Sequence, residues 1–434
     1  MIRKYRTFIY AVALAICLNG CAGSINESAG TVPSDSFSDS AEASPEISPG
    51  TTLETKEEEA TETSIENSTG FQDRQDARPE DETVPADSDN DSISIVMVGD
   101  ILLHDGINKT CRLEDGSYDY SGIFKNVRDE IQAADIAIVN QEVIIGGKEL
   151  GVTGYPSFNG PFEIADELAA TGFDVVCHAN NHVYDRGETG LVNCITYWEE
   201  NHPNIMIVGI SDSQRDDNTY IIEEKGIKVA VLNYTYGTNG VNLKHGERYS
   251  VNKLDKDRVI NDLKKAEEEA DFTIVCPHWG IEYDLVPSAE QREWAGIFLE
   301  NGADLVIGAH PHVIQPVEWM EDQVNGRKML IYYSLGNFVN WTAGQGQHIG
   351  YRVVGGMARV RVSHDDRGQV TISDHDVEAL VTQLNKSRDE LTVYRLIDYD
   401  ERLVQSNEIL KKDSCFSKDY CIDLCDQVWG DEWH

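Results

Sequence analysis

Leu305-Val306-Ile307-Gly308-Ala309-His310-Pro311-His312 is the stretch on which the fold turns: three apolar residues run into a glycine, then into two histidines separated by a proline. A run this short and apolar reads as a strand covered on both faces, and the polar residues after it sit where the strand leaves its sheet. The same grammar recurs upstream. Ile93 to Val98 leads into Gly99-Asp100, Ile136 to Val139 into Asn140-Gln141-Glu142, Val175 to Cys177 into His178-Ala179-Asn180-Asn181-His182, and Thr273 to Cys276 into Pro277-His278-Trp279-Gly280. Ile205 to Val208, Val229 to Leu232 and Met329 to Tyr333 are further runs of this kind.

Helical signals fall between the runs. Ser288 with Gln291 forms a capping box ahead of an apolar face of Trp294, Ile297 and Phe298, and Gly302 ends the helix after Glu300. Asp166 to Thr171 before Gly172, and Leu191, Ile195 and Trp198 at helical spacing, read the same way. Buried strands alternating with amphipathic helices predict an α/β architecture. Past Tyr351, Arg352 to Val362 and Gln369 to Ser373 alternate as antiparallel strands around the turn Asp365-Asp366-Arg367-Gly368. The folded domain is expected over 93–375, and 376–434 reads as a loosely defined appendage.

In open α/β sheets ligands bind in the crevice beyond the carboxyl ends of the strands. One histidine there would ordinarily be a hydrogen-bonded core or loop residue. Five polar clusters at strand ends instead converge on one region. His310 and His312 in an extended segment face one side, with Pro311 keeping His310 out of helical geometry. Asn181 and His182 are adjacent and would point apart, one to ligate and the other to face a substrate. Asp100 and Glu142 supply the anionic charge that holds a divalent cation, and imidazole suits zinc, iron, manganese or nickel.

The ends of the chain carry different information. Arg3, Lys4 and Arg6 precede an apolar run from Phe8 to Leu18 that is too short to span a bilayer and reads as an export signal. Leu18-Asn19-Gly20-Cys21 looks like a bacterial lipobox, with 1–21 removed or processed and Cys21 lipidated, which anchors an extracytoplasmic protein to the membrane. Residues 22–92 are Ser, Thr, Glu, Asp, Pro and Gly with hardly a large apolar side chain, and read as a disordered acidic tether. The formal net charge of the 434 residues is −40, from 36 Lys and Arg against 76 Asp and Glu. That balance excludes nucleic acid as a partner, and an anionic substrate would need a metal cation or local basic groups to approach. Of nine cysteines, Cys177 and Cys276 end apolar runs and read as buried thiols, while Cys415, Cys421 and Cys425 could furnish one disulfide.

Gly99-Asp100, Asn140-Gln141-Glu142, Asn180-Asn181-His182 with Asp185 and Gly187, Asn233 through Gly240, His278-Trp279-Gly280, Gly308 through His312 and Tyr333 through Phe338 together resemble the CapA family. That family is named for poly-γ-glutamate capsule synthesis and belongs to the calcineurin-like metallophosphoesterase superfamily; the match runs from Ile93 to about Asn340. The resemblance implies an α/β/β/α sandwich of two mixed sheets. It also implies Asp100, Glu142, Asn181, His278, His310 and His312 as ligands of one or two ions of Mn, Zn or Fe, and His182 as general acid. Leu102 stands where the superfamily has a histidine, His104 lies one register further on, and Asn140-Gln141-Glu142 replaces the usual bridging aspartate, so the number of ions stays open. Asp185 either orients His182 or caps the following helix. Trp279, Tyr236 and Asn239 are candidate substrate contacts, against plainer readings as a pocket wall and a surface loop.

Two functions follow. One is a metal-dependent hydrolase or transferase acting on phosphoester or γ-glutamyl bonds outside the membrane. The other is a non-catalytic component that grips poly-γ-glutamate or a related anionic polymer alongside other capsule-synthesis proteins. A purely structural metal is the weakest reading, because ligands at strand ends lie beside a crevice.

Overall fold

The computed structural model describes residues 92–433 except 216–218, 245, 343, 345 and 347. The signal, Cys21 and the tether up to residue 91 lie outside the described residues. One sheet orders its strands Leu391–Arg395, Val370–Leu384, Val354–His364, Ser92–Ile101, Ile136–Gln141, Val175–Cys177 and Met206–Val208, with Asn337–Val339 paired beside the end of Ser92–Ile101. The other orders Val317–Glu321, Lys328–Tyr332, Leu305–Ile307, Phe272–His278, Ile227–Thr235 and Ile221–Glu224. The first is antiparallel from Leu391–Arg395 to Ser92–Ile101 and parallel from there to its Met206–Val208 edge, while the second has a parallel centre and antiparallel flanks. The expected mixed α/β sandwich of two sheets is what forms.

Alternation along the strands builds three apolar layers. Ile93, Ile95 and Met97 face Val231, Ile274 and Cys276 between the sheets, where the Cys276 and Met97 sulfurs lie 3.7 Å apart. Val96 and Val98 point the other way, onto Ile164, Leu168, Leu191 and Trp198 of helices Glu163–Thr171 and Gly187–Asn201. Val275 and Val306 pack on Leu263 and Phe298 of helices Lys256–Glu269 and Ala289–Glu300. Helix, sheet, sheet, helix is therefore the order of layers, and period-two side-chain alternation is its cause.

Local signals act as expected at helix ends. Ser288 Oγ accepts from Gln291 N–H at 3.2 Å while Gln291 Oε1 accepts from Ser288 N–H at 2.9 Å, and helix Glu163–Thr171 stops at Gly172, in left-handed geometry at φ +108°.

The C-terminal boundary differs from the expectation. Strand Val370–Leu384 runs straight through residue 375, Leu391–Arg395 adds to the same sheet, and helix Lys418–Trp429 buries Cys421, Leu424, Cys425 and Trp429 in the layer between the sheets. Residues 376–434 have no long periodic strand of their own in the sequence, which is why they read as an appendage; they close the core instead. Cys415, Cys421 and Cys425 are free thiols, as are Cys177 and Cys276. Trp429 also donates its Nε1–H to the Gln315 carbonyl at 3.0 Å, bracing the loop that follows His312. Trp429→Ala is expected to cost about 3–5 kcal/mol of unfolding free energy, the range for emptying a buried aromatic site. Denaturant unfolding with a loss under about 1 kcal/mol would mean the helix is peripheral.

Candidate metal centre and its acid–base pair

The site is built where strands end close together. Gly99 has no room for a side chain, because a Cβ there would lie 2.0 Å from the Gly336 carbonyl oxygen; the approach lets Asp100 N–H donate to that oxygen at 3.0 Å. Asp100 is fully buried. Its Oδ1 accepts from Asn140 Nδ2 at 2.7 Å, and its Oδ2 accepts from the His310 backbone N–H at 3.1 Å and lies 3.3 Å from His312 Nδ1. Gly308 is equally constrained, with a Cβ placed 2.2 Å from the Tyr333 carbonyl oxygen.

His310 and His312 do converge, their ring centroids 5.8 Å apart, but not as an extended pair. Their φ angles are +100° and +58°, so a left-handed turn, not strand geometry, aims both rings inward. Non-glycine residues held there store about 1–3 kcal/mol each, a cost the surrounding packing must offset.

Glu142 is the centre of the cluster. It is fully buried and neither carboxylate oxygen has a hydrogen-bond partner, while His278 Nε2 and His312 Nε2 stand 3.6 and 3.7 Å from its Oε1. His310 Nδ1 is likewise buried without a partner. Asn181 Oδ1 lies 2.9 Å from His278 Nε2. Ligand atoms of Glu142, His278 and His310, and of Asp100, Glu142 and His312, fall within 4.8 Å of one another. All six residues expected as ligands are thus brought together. Buried carboxylate oxygens left bare are costly unless a cation meets them, so the donor set fits a divalent ion. Glu282, exposed beside His310 and His312, could join the set. Nothing in the sequence flagged it, since it lies on a loop without periodicity.

Charge follows from burial. Desolvation drives the Glu142 carboxyl well above its usual range and the His278 and His310 imidazoliums well below theirs, the latter pair aided by neighbouring imidazoles. Burial would lower His312 too, but the Glu142 and Asp100 carboxylates outweigh it and push His312 up to about 9.

His182 stands beside this cluster. Its Nδ1 is 2.7 Å from Asp185 Oδ2, which also accepts the Phe158 backbone N–H at 2.6 Å. Of the two readings of Asp185, the imidazole contact is the one present; the helix that follows has Arg186 at its N-cap and no side-chain cap. Phe158 meets the His182 ring edge to face at 4.7 Å. Tyr236 lies with its ring 4.7 Å from that of His310, and Asn239 Oδ1 accepts weakly from Asn181 Nδ2 at 3.4 Å, so both border the cluster. Trp279 does not. It is buried on the helix side of its sheet, stacked on Tyr333, with its Nε1–H donated to the Tyr333 carbonyl at 3.0 Å, because the residue after His278 takes the opposite face. Its candidacy as a substrate contact is therefore withdrawn. His104, offset from the expected ligand position, packs edge-on to Phe158 and is lowered to about 4 by burial, then by His312. Asn140 and Asn337, which hold Asp100 and His312 in place, were visible only as letters within motifs.

With His312 pushed up to about 9, its imidazole carries a proton at neutral pH that a divalent cation must displace to bind. Titration calorimetry near pH 7.5 in buffers of different ionisation enthalpy is expected to show net proton release, with affinity rising toward about pH 9. Heats that do not depend on the buffer would contradict this protonation state.

Comparison with known proteins places the chain. Residues 94–342, more than half of it, match the family described as bacterial capsule synthesis protein PGA_cap. Capsule biosynthesis protein CapA of Bacillus anthracis is 27% identical over 58% of this chain, and PGA biosynthesis protein CapA of Bacillus subtilis (strain 168) is 30% identical over 58%. The chain spans 62% and 65% of the length of these two relatives. Among solved structures, the calcineurin-like phosphoesterase YfkN from Bacillus subtilis aligns over 76% of this chain and 99% of its own, at 11% identity and a TM-score of 0.36. By the match over residues 94–342, which hold all six clustered donors and His182, this chain belongs to the PGA_cap family of bacterial capsule synthesis proteins.

Proposed function

We propose that this protein is a metal-dependent hydrolase or transferase of poly-γ-glutamate capsule biosynthesis, held outside the cell membrane by a lipid on Cys21. The observation that carries the reading is the placement of a carboxylate-paired imidazole, His182, against a buried donor set with bare oxygens and nitrogen at Glu142 and His310. Family membership supports the capsule setting, and the relatives' names supply the polymer. The export signal and lipobox-like Cys21 support the location.

Asp100, Glu142, Asn181, His278, His310 and His312 would hold one or two ions of Mn, Zn or Fe, and such an ion supplies Lewis-acid polarisation of an electron-rich substrate oxygen. The chain's own groups do the rest. Asp185 accepts a hydrogen bond from His182 Nδ1–H, which fixes the ring's orientation and stabilises its imidazolium form, in which Nε2–H is the donor to a leaving group. Phe158 packs on that ring and restrains its rotation. Tyr236 and Asn239 form the lip over which a chain-like substrate enters.

His182→Ala is expected to retain metal, by elemental analysis, and to lower turnover of phosphoester or polyglutamate substrates by about 100- to 10,000-fold. Metal-loaded wild-type protein inert toward both substrates would sink the catalytic reading. Metal-dependent polymer binding without bond cleavage would then leave the site as a grip for the polyanion. For the location, Cys21→Ser is expected to shift the protein from the membrane fraction to the soluble extracytoplasmic fraction; continued sedimentation with membranes would count against the lipid anchor.

A further inference from the structure

One wall of the metal cluster is basic, in a chain whose charge is otherwise overwhelmingly acidic. Arg352 is half-buried, with its guanidinium carbon 3.4 Å over the Tyr283 ring, and that ring lies 6.0 Å from the His312 ring. The guanidinium is therefore no farther from His312 than those two spans laid end to end. Backbone contacts fix the arrangement. Asn337 Nδ2 donates to the carbonyls of both His312 and Arg352, each at 2.9 Å, and Tyr283 N–H donates to the Pro311 carbonyl at 2.7 Å. Tyr283 sits at φ +67°, a conformation an L residue holds only when its surroundings impose it, and here it sets the ring beneath the arginine.

Arg352 pairs with no carboxylate among the described residues. Arg359, seven residues on in the next strand, shows what an arginine of this protein does when its role is structural: it meets Asp376, Glu378 and Glu130 within 4 Å. The Arg352 Nη1–H instead reaches Thr342 Oγ1 at 3.3 Å. Lys412 donates to the Thr342 carbonyl and lies 3.7 Å over the Trp341 ring, which in turn stands 6.4 Å from His104. Two cations thus flank one threonine along a wall that begins at His312 and curves back to His104.

We infer that Arg352, stacked on Tyr283, is the anchor for a substrate carboxylate beside the reacting centre, and that Lys412 takes the next carboxylate along the chain. This rests on the reading of the protein as one that handles poly-γ-glutamate. A γ-linked glutamate polymer leaves an α-carboxylate free on every residue, and a planar guanidinium fixed on an aromatic face meets a carboxylate through two parallel N–H donors. The wall also offers a polyanion local cationic contacts in a chain that is acidic as a whole.

Calorimetric titration of a short γ-glutamyl oligomer into manganese-loaded protein, with metal content measured alongside, tests the assignment. Arg352→Met is expected to bind the oligomer roughly 10- to 100-fold more weakly with its metal content unchanged. Arg352→Lys should recover part of that loss, since it keeps charge without the planar fork. An oligomer with amidated α-carboxylates should bind wild type and Arg352→Met alike. Wild-type affinity in either variant that retains its metal, or an amidated oligomer that binds as tightly as the acid, overturns this inference alone. Metal-loaded wild-type protein that neither binds the oligomer nor turns it over overturns the functional reading beneath it.

Discussion

Everything about this site depends on the burial of Asp100 and Glu142 side by side at the ends of adjacent strands. Taking a carboxylate out of water costs on the order of several kcal/mol after relaxation, and two of them repel each other as well. The fold answers each differently. Asp100 is met by an asparagine amide, a backbone N–H and the His312 ring, while Glu142 is left with both oxygens bare. Burial drives the Glu142 carboxyl well above its usual range, so its charged form is costly without a cation and receptive to one. A group that is awkward in the unliganded protein is in this way the group that a ligand stabilises.

Holding such a cluster open requires a rigid frame. The parallel strands of the two sheets deliver their ends to one crevice, and two glycines permit backbones to approach where any side chain would collide. Behind the His310-Pro311-His312 turn, the Gln315 side chain accepts from Gln291 Nε2 and donates to the Asp284 carbonyl, while its own carbonyl receives the Trp429 indole. A capped helix, the loop bearing Tyr283 and the C-terminal helix therefore meet at one residue. That convergence is what keeps three non-glycine residues, His310, His312 and Tyr283, at positive φ. Strain of this kind persists only where the surroundings over-determine it.

Electrostatics divides the molecule by region. The large negative charge is spread over residues 22–92 and the residues that follow, where it disfavours nucleic acid. The crevice mixes both signs, with the carboxylates of Asp100, Glu142 and Glu282 among imidazoles, and Arg352 and Lys412 along one wall. Histidine charge there is set by environment, since the same desolvation that neutralises His278 and His310 is overcome at His312 by two carboxylates.

The resemblance to the CapA family, not the local pattern, picked the six donors out of the polar clusters, and the strands past residue 375 were not legible; what the sequence by itself determined is the core strands as apolar runs and the polar clusters at their ends. Those features are local: a buried strand must be apolar, and a polar residue directly after it must lie at the sheet's edge. What only the tertiary structure decided depends on residues far apart in the chain. Trp279 reads like a groove residue next to His278, yet alternation turns it into the helix-side core. Asp185 could have capped a helix, but Phe158 and His182 claim it. Glu282 carries no pattern, and Arg352, which reads as the start of an alternating strand, lies instead in the short helical turn Ile349–Val353; both reach the site only because these segments are folded against the His310 turn. Even the pairing of His310 with His312, legible as a spacing, takes its geometry from left-handed backbone that long-range packing imposes. Which residues gather was written locally, and how they face one another was settled by contacts that sequence distance hides.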